Sequence, residues 1–179
     1  MLIGLTGRNA AGKGEVAEYL KKNGFNYYSL SDVIRDEVRK RGRQPTREIL
    51  IQVGNELRQK YGARILAERI IEKIESGKDY VIDSIRNPSE VDTLRAAKDF
   101  KLIRVEAPVD VRFRRTLARN RESEAQTLEA FMDVERREAA GDATSQNLIK
   151  VESMADDFLV NDGPLEKLYR AIDELLVRL

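Results

Sequence analysis

The chain has 179 residues, with 32 basic and 31 acidic side chains and 41% apolar residues. This is one domain's length, enough to bury a real core, and the balanced charge gives no global drive toward nucleic acid or a membrane. Cys, His and Trp are all absent, which excludes disulfides, zinc sites, thiol nucleophiles and histidine bases. Any chemistry must run on carboxylates, Lys, Arg and hydroxyls, with or without a bound metal.

The opening MLIGLTG lacks the basic n-region of a signal peptide, and no stretch is long enough to span a bilayer. A cytoplasmic protein is expected. The 35% charged fraction without Cys fits a heat-adapted source.

In chain order, five short apolar runs stand out: LIGLT (2–6), FNYYSL (25–30), YVID (80–83), KLIRVEA (101–107) and FLVND (158–162). Helical-period stretches separate them, which predicts an α/β/α fold with a five-stranded parallel sheet. The first helix sets Val16, Ala17 and Leu20 on one face and ends at Gly24. Between 31 and 76, Gly42 to Pro45 and Tyr61-Gly62 divide the chain into three helices. Asn87, Pro88 and Glu90 read as cap, first helical position and capping-box acid. Pro108 and Pro164 open the helices after the fourth and fifth runs. The least regular stretches are 119–127 and 141–150.

The stretch between the first strand and the first helix is GRNAAGKG, residues 7–14. It follows the phosphate-loop pattern G-x-x-x-x-G-K, with Gly14 where a hydroxyl residue normally follows the lysine. Such a loop aims backbone N–H groups at an anion, and the helix N-terminus adds positive potential. Gly7 and Gly12 supply unusual torsions, Asn9, Ala10 and Ala11 complete the cradle, and Lys13 reaches the outer phosphates. The plainer reading is a tight turn with an incidental lysine. Without a hydroxyl at Gly14, a Mg²⁺ ion would be held by phosphates, by water and by Asp83 at the end of YVID. Glu15 borders the loop, but also suits a helix first turn.

Beyond the loop the residues resemble nucleoside monophosphate kinases of the adenylate kinase type, whose loop also carries GKG. SLSDVIRDEV (29–38) is similar to the segment that sets an Arg on the acceptor's phosphate, matched by Arg35. YVIDSIRNPSEVDTL (80–94) resembles the D-G-F-P-R stretch, matched at Asp83 and Arg86 and one residue shorter. APVDVRFRRTLARNR (107–121) resembles the helix entering the lid, matched at Arg115 and Arg119. VERRE (134–138) resembles the helix leaving it, and LVNDG (159–163) the loop at the nucleobase. The resemblance covers nearly the whole chain and looks closest to a branch of small, dephospho-coenzyme A kinase-like proteins common in archaea. A related domain occurs fused to deoxycytidylate deaminases. The lid is very short, and Glu15 replaces the usual Thr.

The resemblance implies a single P-loop kinase domain over 1–179: a core at 1–30, 77–118 and 138–179, an acceptor arm at 31–76 and a lid at 119–137. ATP and Mg²⁺ are the implied cofactors, with the base near Asn161 to Gly163 and the acceptor between Arg35 and Arg86. Arg suits this work because its planar fork grips phosphate oxygens in pairs.

From 112 to 121 there are five Arg and no acid. Val109, Phe113 and Leu117 should face the core, with Arg112, Arg115 and Arg119 sharing another face and Arg121 continuing into the lid. A basic surface helix or an RNA-binding patch is the alternative. Arg39 lies one turn from Arg35. Of the adjacent Arg136 and Arg137 only one faces the site easily, and Arg136 is preferred. Asp32 is a cap or sugar ligand if the acceptor is a phosphate, and a base if it is a hydroxyl. One of Tyr27 and Tyr28 is a buried strand residue; the other is free to stack.

Two further functions stay open: dephospho-coenzyme A kinase, and a nucleotide sensor without turnover. The partner expected is a small nucleotide acceptor, not a membrane or a nucleic acid. The sequence leaves oligomeric state undetermined.

Overall fold

The computed structural model describes residues 1–97, 99–118, 126–139 and 147–179, with backbone alone for 137–139. The five expected strands are present as β1 (Leu2–Thr6), β2 (Asn26–Ser29), β3 (Tyr80–Asp83), β4 (Phe100–Glu106) and β5 (Asp157–Val160). All pairings are parallel and the order is β2-β3-β1-β4-β5. The chain leaves β1 toward one edge and later crosses to the other side of it. The carboxyl end of β1 is therefore a topological switch point, where open α/β sheets bind ligands. Residues 7–14 lie there.

The described helices are α1 (Lys13–Lys22), α2 (Leu30–Lys40), α3 (Arg47–Tyr61), α4 (Ile65–Ile71), α5 (Pro88–Ala97), α6 (Val109–Ala118), α7 (Leu128–Ala139), α8 (Leu148–Ser153) and α9 (Leu165–Arg178). Helices α1 and α9 cover one face of the sheet, where Val16, Ala17 and Leu20 meet Ile3, Leu5 and Leu168. The other face carries α2 to α5 and α8, joined through Leu30, Val53, Leu66, Leu94 and Val151. Strand β1 is buried along its whole length, as a central parallel strand must be.

The punctuation acts locally as expected. Gly24, at φ +92°, ends α1 in a conformation that favours glycine. Asn87 Oδ1 accepts from Ser89 N at 2.9 Å, and Glu90 Oε2 accepts from Asn87 N at 3.0 Å, which closes the capping box of α5. Tyr28 is the strand tyrosine: its ring stacks on Tyr80 at 5.7 Å, while Tyr27 faces the other way.

One helix face differs from the expectation. In α6 the buried residues are Arg112 and Thr116, whereas Leu117 is 40% exposed and Phe113 is half-buried against Phe131. Apolar periodicity misleads here because Arg112 finds a buried carboxylate and carbonyl partners. Once those are satisfied it enters the interior in place of Leu117. Helix α8 begins at the end of the stretch 141–150, whose sequence looks irregular; Asn147 caps it, with Oδ1 accepting from Lys150 N at 3.1 Å.

Candidate active site

The loop after β1 is bent around positive-φ residues. Gly7 and Gly12 take φ of +130° and +108°, and Ala10, which is not a glycine, takes +59°. A side chain at Gly12 would overlap Asn161 Nδ2, and one at Gly7 would overlap the Val105 carbonyl. The glycines are thus required both for torsion and for close approach. Nothing lies within 4 Å of a Cβ built at Gly14, so packing does not forbid a hydroxyl residue there. Lys13 starts α1, and its ammonium donates to the carbonyls of Gly7 at 2.6 Å and Arg8 at 3.0 Å. A cation is thereby folded back over the loop whose amides and helix N-terminus favour an anion. Glu15 is exposed in the first turn of α1, the ordinary place for a helix acid.

Three elements converge on the loop. Arg115 of α6 donates to the carbonyls of Ala10 and Ala11, each at 3.4 Å, and to Asn161 O and Oδ1 at 3.1 and 3.0 Å. Asn161 is buried after β5, and its Nδ2 donates to Ala11 O at 3.0 Å. Its amide is engaged with the loop, which makes it a brace for the cradle; Gly163 nearby is exposed. Asn9 contributes its carbonyl, which accepts from Arg112 Nη1 at 3.3 Å.

On the β2–β3 side of the loop lies a hydroxyl cluster that sequence reading missed. Ser29 Oγ lies 2.8 Å from Ser31 Oγ and donates to Ser84 Oγ at 3.1 Å. Arg35 donates to Ser31 Oγ and to Asp32 Oδ1, both at 2.7 Å. Asp32 is thus ion-paired, and the cap of α2 is Ser29, whose Oγ accepts from Ser31 N at 3.3 Å. Arg39 pairs at 3.2 Å with Asp36, both largely exposed, as a surface residue would. Asp83 ends β3 half-buried, with Oδ1 accepting from Ser84 N at 2.6 Å, and Ser84 holds φ +67°. Burial first, then the charge of Asp83, pushes the Tyr27 phenol up, so that side chain senses the same pocket. The backbone of Arg86 is fixed at both ends: its N–H donates to Glu90 Oε2 at 2.9 Å and its carbonyl accepts from Asn147 N at 2.8 Å.

On the β4–β5 side a charged hub surrounds a cavity of about 510 Å³ lined by Arg8, Ala11, Arg104, Glu106, Arg112 and Glu152 among others. Glu135 of α7 takes Arg112 as a buried ion pair, while Arg8 reaches Glu135 at 3.7 Å and Glu152 at 3.9 Å. Sequence reading passed over Arg8, although a cation inside the loop was itself a signal. Burial pushes the Glu152 carboxyl up, against the pull of Arg8, Arg104 and Lys13. A carboxyl raised on folding makes the folded state hold its proton more tightly. Stability therefore falls as pH rises from the unfolded toward the folded pKa. Glu152→Gln should change the Tm little at about pH 4 and raise it as pH climbs through the folded pKa, the gain then holding constant up to about pH 8. Thermal melts across that range check this; a gain that does not vary with pH refutes it.

Arg136 does not face the site. It pairs with Asp133 at 2.9 Å and its side chain is 74% exposed. The inward position on that turn is Glu135, which Arg112 draws into the interior, and a step of one residue rotates about 100°. Arg119 and Arg121 lie outside the described residues, as does the side chain of Arg137, so of the proposed lid arginines the structure describes Arg136 alone. Among the described residues no group of three or more acidic side chains could hold a metal ion. Asp83, at the end of β3, belongs to no such group.

Relatives match over the full length. A UPF0200 protein of Methanothermobacter thermautotrophicus is 34% identical over 100% of this chain and 90% of its own. One from Thermococcus kodakarensis is 32% identical, with 100% of both chains covered. A family model described as an AAA domain matches residues 3–140. The chain belongs to the UPF0200 family of AAA-domain proteins. For this UPF0200 chain two solved structures show the fold alone. TT1252 from Thermus thermophilus has a TM-score of 0.61 at 23% identity, covering 100% and 97% of the two chains. Shikimate kinase from Bacteroides thetaiotaomicron has 0.62 at 17%, covering 98% of each. The fold is that of the small P-loop kinases, as the loop and its surroundings led us to expect. No described helix is long and apolar enough to cross a membrane.

Proposed function

We propose that this UPF0200 protein transfers the terminal phosphoryl group of ATP to a small nucleotide acceptor, a (deoxy)nucleoside monophosphate. The observation that carries this reading is the meeting of Lys13, the bent loop and Arg115 at one point, the carboxyl end of β1. Phosphoryl transfer needs positioning and charge stabilisation more than covalent chemistry. Loop amides and the α1 N-terminus hold the polyphosphate. Lys13 leaves its resting carbonyls for the phosphate oxygens, and Arg115 follows the charge from the α6 side.

Mg²⁺, when bound, neutralises phosphate charge. With Gly14 offering no hydroxyl, Asp83 would hold it through water. On the acceptor side Arg35 and Arg86 grip the incoming phosphate, with the serine cluster supplying neutral donors. A phosphate acceptor is already anionic and needs no base, which suits a chain without histidine. Arg119 belongs to the same proposal as a lid cation.

A hydroxyl acceptor, as in dephospho-coenzyme A, is the second reading. The carboxylate of Asp32 beside the serine cluster favours it, since a hydroxyl must give up a proton. The test is ADP release from ATP and Mg²⁺ with AMP, CMP, UMP, dCMP, dephospho-coenzyme A and shikimate. Turnover of a monophosphate supports the first reading. Turnover of a hydroxyl acceptor, abolished by Asp32→Asn, supports the second. Tight nucleotide binding with no transfer to any acceptor overturns both in favour of a sensor.

A further inference from the structure

The arm and the loop after β3 share a single buried carboxylate. Arg58, in the last turn of α3, donates from Nε and Nη2 to Glu90 Oε1 at 3.0 and 2.8 Å. The other oxygen of Glu90 accepts from the backbone N–H groups of Arg86 and Asn87, at 2.9 and 3.0 Å. The side chains of this pair are 1% and 0% exposed. A capping box requires only the second set of bonds, and a glutamate at a surface would provide it. Burying it under a guanidinium adds a desolvation cost, and an apolar pair of similar size is often as stable or more so. Nη1 of Arg58 is itself buried without a hydrogen bond, which adds to that cost. Gly54, one turn earlier on α3, lets Ile34 of α2 come close: a Cβ there would lie 2.9 Å from Ile34 Cδ1 and 3.3 Å from Arg58 Nη1. Helix α2 carries Asp32 and Arg35. The pair therefore references both halves of the acceptor pocket, α2 through α3 and the loop of Asp83, Ser84 and Arg86 through its backbone.

We propose that Arg58 and Glu90 are positioning residues: a buried latch that joins the acceptor arm to the β3–α5 loop, so that the acceptor pocket is preformed and moves with the core. The kinetic consequence rests on the kinase reading above; the mechanical one does not.

The experiment therefore has two readouts. Amide hydrogen exchange at Arg86 and Asn87 is measured in wild type, Glu90→Gln and Arg58→Lys, with no ligand present. Exchange faster by about tenfold or more in the variants is expected, with the β1 and β4 amides unchanged. In parallel, KM for ATP and for AMP, or for whichever panel acceptor is turned over, is compared well below each variant's Tm. A rise of about tenfold in acceptor KM with ATP KM unchanged is expected, and Arg58→Lys should sit between wild type and Glu90→Gln. Should Glu90→Gln fail to fold, the charge-free pair Arg58→Met with Glu90→Gln takes its place. Unchanged exchange at Arg86 and Asn87 overturns the latch whatever the kinetics. Faster exchange with the two KM values moving together overturns the positioning role. Faster exchange in a protein that transfers no phosphate keeps the latch and removes the kinase reading instead.

Discussion

Lys13→Ala should reduce phosphoryl transfer by about 10³-fold or more, in line with the loss of a group aimed at the charge of the transition state. Nucleotide affinity should weaken too, because Lys13 is the one side-chain cation of the loop folded back on its own carbonyls, at 2.6 and 3.0 Å. The fold should survive. The ammonium is only partly buried, the α1 face that packs is Val16, Ala17 and Leu20, and water can take over the two carbonyls it leaves. Kinetics with the acceptor found in the panel, alongside a thermal melt, make the comparison. Wild-type turnover in Lys13→Ala rules the phosphate-loop mechanism out. A lost fold instead makes the lysine a structural residue.

Arg112→Ala should be the most destabilising single change on the lid side. It strands the carboxylate of Glu135, 8% exposed, with Arg8 at 3.7 Å left to balance it among the described residues. Breaking a buried pair from one side costs about 3–5 kcal/mol. In a chain of this length that lowers the Tm by about 6–20 °C. It also frees the Asn9 carbonyl, which Arg112 now holds from Nη1, so the loop should loosen with it. The paired change Arg112→Met with Glu135→Leu removes both charges and should recover most of the stability. Singles that melt within about 2 °C of wild type, or a double no better than either, would show that the ion pair is not what joins α6 to α7.

These two predictions draw on different kinds of information. Lys13 is legible in eight letters, because a phosphate loop is a local device: a strand, glycines able to take positive φ, a lysine and a helix N-terminus, contiguous in the chain. The strands were legible for a similar reason. Parallel strands buried on both faces must be short apolar runs, and the five runs fall within a residue or two of β1 to β5. The caps at Gly24 and Asn87 are decided within a few residues of themselves.

What the chain order could not settle is which charges meet. Arg112 and Glu135 are 23 residues apart, Arg58 and Glu90 are 32 apart, and Ser29 and Ser84 are 55 apart. In its own stretch of chain each of these shows at most a local role, such as the capping box of Glu90, and nothing nearby names the distant residue it meets. Arg136 misled for the converse reason: its motif placed it near the site, but a buried carboxylate one position earlier set the rotation of the helix. Amino-acid order determined the sheet, the loop and the stops, since those rest on backbone torsion and apolar burial within a few residues. Tertiary structure decided which arginines go inside, since a guanidinium can leave water only where the fold brings it a carboxylate or carbonyl to replace the solvent.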